Sequence, residues 1–195
     1  MSTRSHLKKI TKIAFRASIY PLYISFLFLK KTTNSSSIFQ SYSQFLSLIP
    51  GKLGVYCRAS FYHLACPHTS ENISIGFMTL LSHQDTTILE GVYIGPQCNI
   101  GKCTIGNGTL IGSGVHILSG KNQHFFDQLS TPIQEQGGRY EKIAIGNDCW
   151  IGNGSIVLCD IKDQTVIAAG SVITKSFDAK SICGGNPAKL IKYRT

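Results

Sequence analysis

Aliphatic residues recur every six positions through most of the chain after residue 74. The pattern is clearest in IAIGNDCWIGNGSIVL (143–158), where Ile145, Ile151 and Val157 are six residues apart. A strand repeats every two residues and a helix every 3.6, so neither explains this period. A short strand followed by a corner does explain it. Three such faces make a triangular coil, and stacked coils pair as parallel strands around a narrow aliphatic core.

Two positions of the six-residue unit are regular. The first is aliphatic, at Ile75, Leu81, Ile88, Ile94, Ile100, Ile105, Ile111, Ile117, Ile145, Ile151, Val157, Ile161, Ile167 and Ile173. The fifth is small, at Thr79, Val92, Cys98, Thr109, Val115, Cys149, Ser155, Thr165 and Ser171. We therefore expect Cys98 and Cys149 to be buried for packing and not for chemistry. Glycine or another small residue at the second position predicts a tight corner.

The chain before the repeat has a different pattern. Apolar residues at near-helical spacing in residues 39–64 predict two short helices around Pro50-Gly51, and TTNSSS (32–37) predicts a loop. The uncharged run ASIYPLYISFLFL (17–29) lies between basic residues and is shorter than the roughly 20 residues that span a bilayer. It is compatible with a segment lying on an anionic membrane surface, and equally with a helix packed on the body.

Composition divides the chain into the same parts. Residues 1–70 carry nine Lys or Arg and no Asp or Glu, whereas the remainder is neutral. No nucleic-acid-binding motif accompanies the charge. Seven cysteines without a CxxC pair argue against a zinc ribbon or a disulfide scaffold, and favour a reducing compartment. We predict a basic helical region (1–70), a body of repeats (71–179) with an inserted loop (119–142), and a C-terminal cap (180–195).

The inserted loop carries the strongest candidate for chemistry. The repeat stops at SGKNQHFFDQLSTPIQEQGGRYEK (119–142), and loops that leave a repeat stack often carry function. His124 lies in it beside two phenylalanines, and an imidazole suits a general base near neutral pH. Asp127 is a candidate for orienting His124. His83 and Asp85 lie at an irregular seven-residue step and could face a cleft, whereas His116 lies in a strand and is expected to be structural.

Three motifs carry a resemblance to a known family. IGNDCWIGNGSIVL (145–158), VIAAGSVITK (166–175) and GGNPAKLIK (184–192) resemble the hexapeptide-repeat acyltransferases, over about residues 70–192. The resemblance implies an all-β solenoid, a left-handed parallel β-helix with the N-terminal helical region and a short C-terminal cap. That hand departs from the usual right-handed crossover. LSLIPGKLGVYCRASFY (46–62) is similar to a subgroup linked with bacterial polysaccharide or lipopolysaccharide modification.

The same resemblance implies a function and a set of site residues. It implies an acetyl-CoA-dependent O-acetyltransferase with His124 as general base and no metal. The acceptor would be a sugar hydroxyl of a bacterial surface polysaccharide or its precursor. Family members form homotrimers with sites between subunits, so His83 and Asp85 would face a neighbour's His124. The residues implied to bind the acetyl-CoA cofactor are Trp150, Asn153, Ala169, Thr174, Lys175 and Lys189, with Lys192 as a further counter-charge.

Alternatives remain open at this point. The acceptor could be a small-molecule hydroxyl or amine, such as serine, a xenobiotic or a nucleotide-sugar amine. The γ-type carbonic anhydrases share the solenoid, but His116 and His124 lie eight residues apart, where a zinc site would have two histidines five apart and a third elsewhere. A non-catalytic scaffold would not need the loop. The expected location is the cytoplasm, with a peripheral position on the inner face of the cytoplasmic membrane left open.

Overall fold

Three helices precede the repeats. The computed structural model describes residues 3–33 and 35–195. The helices are α1 (Thr3–Thr33), α2 (Ser37–Ser47) and α3 (Gly51–Ala65). The two short helices expected around Pro50 are present, because Pro50 adopts an extended conformation and starts α3. The break between α1 and α2 is shorter than the loop predicted at 32–37.

Helix α1 is longer than the apolar run alone indicates. Its Lys8–Thr33 portion has 26 residues and is long and apolar enough to cross a membrane, by length and composition only. The uncharged run is therefore part of a longer helix than the sequence indicated, since the flanking basic residues continue the same helix. The helix nevertheless packs on the other two. Phe26 is fully buried, and Phe15 stacks on Tyr56 of α3 at 4.9 Å between ring centroids.

A buried arginine joins the helical region to the first coil. Arg58 of α3 is fully buried and donates hydrogen bonds to the carbonyl oxygens of Leu46, Ile49 and Ile75, each at 2.9 Å. These carbonyls belong to the end of α2, the turn before α3 and the first strand. Burial lowers the pKa of the Arg58 guanidinium. The helical region is thus fixed to the coils through its interior.

The strands are short, and most have two residues. They are β1 (Ser74–Ile75), β2 (Leu80–Leu81), β3 (Thr87–Ile88), β4 (Tyr93–Ile94), β5 (Asn99–Ile100), β6 (Cys103–Ile105), β7 (Leu110–Ile111), β8 (His116–Ile117), β9 (Ile143–Ile145), β10 (Trp150–Ile151), β11 (Ile156–Val157), β12 (Val166–Ile167), β13 (Val172–Ile173), β14 (Ser181–Gly185) and β15 (Ala188–Tyr193).

The chain visits three sheets in rotation. The first sheet has the order β1-β4-β7-β10-β12-β14-β15, the second β2-β5-β8-β11-β13 and the third β3-β6-β9. A bridge between Ile145 and Ile161 extends the third sheet. It lies at the short step, where Ile161 follows the preceding first position, Val157, by four residues in place of six. Every pairing is parallel except β14 with β15, which close the end as an antiparallel hairpin. The predicted parallel pairing of successive coils is confirmed, and the left-handed sense of the coil stays a prediction.

The repeat positions have the burial that the pattern predicts. Every first-position aliphatic residue is at most 3% exposed, and every fifth-position residue is at most 2% exposed. Glycine at the second position is required by the close approach of stacked coils. A Cβ on Gly152 would lie 2.5 Å from the backbone nitrogen of Ala169 in the next coil. The corner itself is made at the fourth position, where Gln97 and Asp148, for example, have φ of 60° and 51°.

The inserted loop forms its own hairpin. The backbone N–H of Arg139 donates to the carbonyl of Asn122 at 2.7 Å, and that of Phe125 donates to Gly137 at 3.0 Å. A single 3₁₀ turn, Ile133–Glu135, lies near the loop's far end. Residues at the base of the loop therefore keep a defined position against the second sheet.

Candidate active site

A groove lies on the outward face of the second sheet, between the start of α2 and the base of the inserted loop. Its volume is about 550 Å³, which is in the range of small-molecule sites. Beside three serines, the polar side chains that line it are those of Gln40, His83, Asn99, His116, Gln123 and Tyr140. They come from five separate segments, which the helices and coils bring to one face.

The floor of the groove is set by strand register. Asn99 of β5 and His116 of β8 are directly paired across the second sheet, and both side chains point outward. The structure therefore places the His116 imidazole on the floor of the groove, although its strand position predicted a structural role. The inward neighbours Ile100 and Ile117 fill the core.

His83 also lines the groove, and its surroundings lower the pKa of its ring. Its ring lies 5.2 Å from the ring of Tyr140, between centroids. Burial lowers the pKa of His83, and the positive charge of Lys102 lowers it further, against an opposing effect of Asp85. The imidazole is therefore neutral at physiological pH and presents both a donor and an acceptor nitrogen.

Asp85 lies close to His83 in sequence but has other partners. Its carboxylate is held by Lys142 at 2.7 Å and by Lys102 at 3.2 Å, at the foot of the inserted loop. The hydrogen bond from Lys142 is the main cause that lowers the pKa of Asp85. This pair of ion pairs joins the loop to the coils. The proposed contact of Asp85 with an acceptor stays a prediction.

His124 is next to the groove in sequence and is not among the residues that line it. Gln123 lines the groove, and His124 follows it in the loop with its side chain exposed. Phe125 and Phe126 are also exposed, at 42% and 68%, as is Asp127. Within one chain the two phenylalanines do not close over the imidazole. The role of His124 as a base and that of Asp127 as its partner stay predictions.

The residues expected to contact the cofactor lie elsewhere on the coil. Trp150 is 56% exposed on the outward face of the first sheet, between its register partners Leu110 and Val166. Tyr93 continues the row beyond Leu110. These side chains make an exposed apolar row on the first sheet, whereas the groove is on the second.

The remaining cofactor candidates follow the corners. Asn153 and Ala169 lie at successive corners between the first and second sheets, and the Asn153 side chain accepts a hydrogen bond from the Ser113 backbone N–H at 3.0 Å. Thr174 and Lys175 follow β13, and the Lys175 ammonium lies 5.6 Å from the ring centroid of Phe177. Lys189 is exposed in β15.

Cysteine and metal chemistry find no support in the described part of the chain. Residues 3–33 and 35–195 contain no group of three His, Cys, Asp or Glu placed to hold a metal ion. The cysteines are free, and all but the half-buried Cys159 are buried. Burial raises the pKa of these thiols, that of Cys103 to about 12, which suppresses the reactive thiolate.

Sequence reasoning did not find several groove residues. Gln40 comes from α2 and Tyr140 from the far end of the inserted loop, and neither belongs to a motif. Their positions depend on how the helices pack on the coils, which periodicity does not reveal. His83 was found only because it interrupts the repeat.

Comparison with known proteins supports the same architecture. The family described as bacterial transferase hexapeptide (six repeats) matches residues 85–119. The chain is 36% identical over 119 residues to a probable macrolide acetyltransferase of Lysinibacillus sphaericus, covering 52% of this chain and 63% of that protein. It is 30% identical over 116 residues to the putative colanic acid biosynthesis acetyltransferase WcaF of Escherichia coli (strain K12), covering 55% and 58%.

A solved structure extends the likeness across most of the chain. A maltose O-acetyltransferase from Clostridium difficile 630 superposes with a TM-score of 0.68 at 21% identity, covering 81% of this chain and 87% of that one. This likeness concerns the fold alone. The match to the two relatives spans less than two thirds of their own length. Together, the repeat, the three-sheet architecture and these matches support a relationship of this chain to the hexapeptide-repeat acyltransferases.

Proposed function

We propose that this protein transfers an acetyl group from acetyl-CoA to a hydroxyl of a saccharide. The observation that carries the proposal is the groove, which joins hydrogen-bonding side chains to the base of the loop that carries His124. Amide and imidazole side chains such as Asn99, His83 and His116 suit the recognition of sugar hydroxyls. The names of the relatives, which are acetyltransferases, support the reaction type.

The reaction needs one base and one oxyanion donor. The His124 imidazole accepts the proton of the acceptor hydroxyl while the oxygen attacks the thioester carbonyl carbon. A backbone N–H donates to the oxygen of the tetrahedral intermediate. The C–S bond then breaks, and the imidazolium returns its proton to the departing thiolate. The products are the O-acetyl ester and CoA, with no covalent enzyme intermediate.

We place the complete site between two copies in a homotrimer of left-handed β-helices. The groove is on the second sheet, and Trp150 is on the first. One chain therefore holds the acceptor half and the cofactor half on different faces. The exposed row of Tyr93, Leu110 and Trp150 offers an apolar surface for a neighbouring copy and for the pantetheine chain.

The acceptor that we favour is part of a bacterial surface polysaccharide or its precursor, and the reaction is cytoplasmic. The named role of the colanic acid relative supports this choice. The named role of the macrolide relative supports the alternative, a hydroxyl of a small molecule. An acceptor panel that includes neutral and acidic saccharides beside a macrolide separates the two.

Helix α1 supports a peripheral contact with an anionic membrane. Its packed face carries Phe26, whereas the opposite face exposes Ile13, Tyr20, Ile24 and Phe28, each at least 47%. Lys8, Lys9, Lys30 and Lys31 bracket this apolar face. Such a helix lies in the plane of the interface. Co-sedimentation with anionic vesicles is expected for the protein and lost for the double variant Ile24→Glu, Phe28→Glu; unchanged sedimentation of that variant would refute the contact.

The test of the proposed reaction is release of free CoA from acetyl-CoA in the presence of an acceptor. His124→Ala should lower turnover by about 10²–10⁴-fold, which is the usual contribution of a general base, without changing the thermal midpoint. His6→Ala removes another exposed histidine, on α1, and should leave turnover unchanged. Wild-type turnover in His124→Ala would refute the assignment of the base.

A further inference from the structure

The groove has a second lobe under the end of helix α1. This lobe, of about 260 Å³, is lined by Lys30, Ser35 and Phe39, and it shares Ser36, Ser82 and His83 with the main groove. The two lobes therefore adjoin at these shared residues. A ligand that occupies both has one end near the inserted loop and the other near the ammonium of Lys30.

Lys30 is held in place by a neutral partner. Its ammonium donates a hydrogen bond to the side-chain oxygen of Gln84. The Gln84 amide in turn donates to the carbonyl of Ala65 at 2.6 Å, at the end of α3. Gln84 therefore positions the lysine through its own contact with the helical region, while two further ammonium hydrogens remain to donate.

The lining of the two lobes carries positive charge and no negative charge. Among the described residues that line them, none is Asp or Glu, and Lys30 carries a positive charge. Lys30 forms no ion pair with a carboxylate of the described residues. A lysine without such a pair, at the end of a polar groove, favours an anionic group on the ligand.

We infer that the second lobe binds an anionic substituent of the acceptor saccharide, a carboxylate or a phosphate, through Lys30 and the adjoining serine hydroxyls. This inference rests on the proposed function and defines its substrate class: an acidic or phosphorylated saccharide in place of a neutral one. The lobe selects acceptors by charge, and the main groove holds the sugar ring that receives the acetyl group. Lys30 does not touch the reacting atoms, so it governs acceptor binding and not the chemical step.

The experiment measures binding separately from turnover. Ligand-detected NMR titrations compare glucose, glucuronic acid and glucose 1-phosphate on the wild-type protein, on Lys30→Gln and on Lys52→Gln. Lys52 is an exposed lysine of α3 in the same basic region, and it does not line either lobe, so its variant is the matched control for net charge. Acetyl transfer to the best-binding saccharide is then followed with labelled acetyl-CoA.

The inference predicts that at least one of the two anionic sugars binds about tenfold more tightly than glucose, as one charge-assisted hydrogen bond provides. Lys30→Gln should remove this preference, and Lys52→Gln should keep it. In transfer, Lys30→Gln should raise KM for the anionic acceptor and leave kcat unchanged. Binding of only one of the two anions identifies which group the lobe takes.

Two results would overturn the inference: equal binding of all three sugars, or an anion preference that survives Lys30→Gln. The proposed function fails in a different way. If the anionic sugar binds through Lys30 but no acetyl group is transferred to it or to any saccharide of the panel, the lobe is an anion site and the proposal of a saccharide acceptor is wrong.

Discussion

The buried aliphatic residues at the first position of each repeat should contribute most of the stability of the coils. Truncation of one of them tests this directly. Ile105 is fully buried in β6, and its register partners Ile88 and Ile145 are at most 2% exposed. These neighbours are held by backbone pairing on both sides, so the core has little freedom to collapse around a deleted side chain. Ile105→Ala should therefore cost about 3 kcal/mol, within the range for buried aliphatic truncation.

The matched control is the same substitution on the surface. Ile191 lies in β15 and is 62% exposed, so Ile191→Ala should change the free energy of unfolding by about 0.5 kcal/mol or less. For a chain of this size, about 3 kcal/mol lowers the thermal midpoint by about 6–12 °C. Differential scanning calorimetry of the two variants measures the contrast. Equal decreases in the thermal midpoint would show that the buried first-position residues are not the main source of stability.

Three further results follow from the charged and titratable groups. Lys142 lowers the pKa of Asp85, so its ion pair stabilises the fold only while the carboxyl group is ionised. Asp85→Asn should therefore decrease the free energy of unfolding fully near neutral pH, and the decrease should vanish as pH falls below the ordinary carboxyl value of 3.8. A decrease independent of pH in denaturant titrations would contradict this. The His83 ring should titrate by NMR with a midpoint below 6.5 that rises in Lys102→Gln, and an unmoved midpoint would exclude the influence of Lys102. Iodoacetamide on the native protein should label half-buried Cys159 first, and mass spectrometry that finds Cys103 labelled earlier would contradict the burial of that thiol.

The regular part of the fold is predictable from the sequence because one rule generates it. An aliphatic residue such as Ile111 and a small one such as Thr109 occupy equivalent places in every coil, so period alone assigns the core and the pairing. The left-handed φ at the fourth position was not predicted, since residues as different as Gln97 and Asp148 accept it. At Gly152 the sequence predicted the corner itself, whereas the structure makes the corner two residues later and requires glycine at 152 for the contact between coils.

The candidate site was less predictable than the core. His124 was found because the repeat stops around it, and His83 because a step lengthens there. Gln40 and Tyr140 reach the same groove from a helix and from the far end of a loop, and their meeting depends on tertiary packing. The length of α1 was underestimated because charged residues were taken as the ends of the apolar segment, whereas they lie within one helix.

The central claim is that acetyl transfer uses His124 of one copy together with the cofactor half of another. The most direct measurement is complementation between two inactive variants, His124→Ala and Ala169→Trp, co-expressed with different tags and purified as mixed trimers. If each site combines two copies, every mixed trimer keeps both halves intact at one interface in three, and about a third of wild-type turnover should return. Mixed trimers that form and remain inactive would contradict the claim.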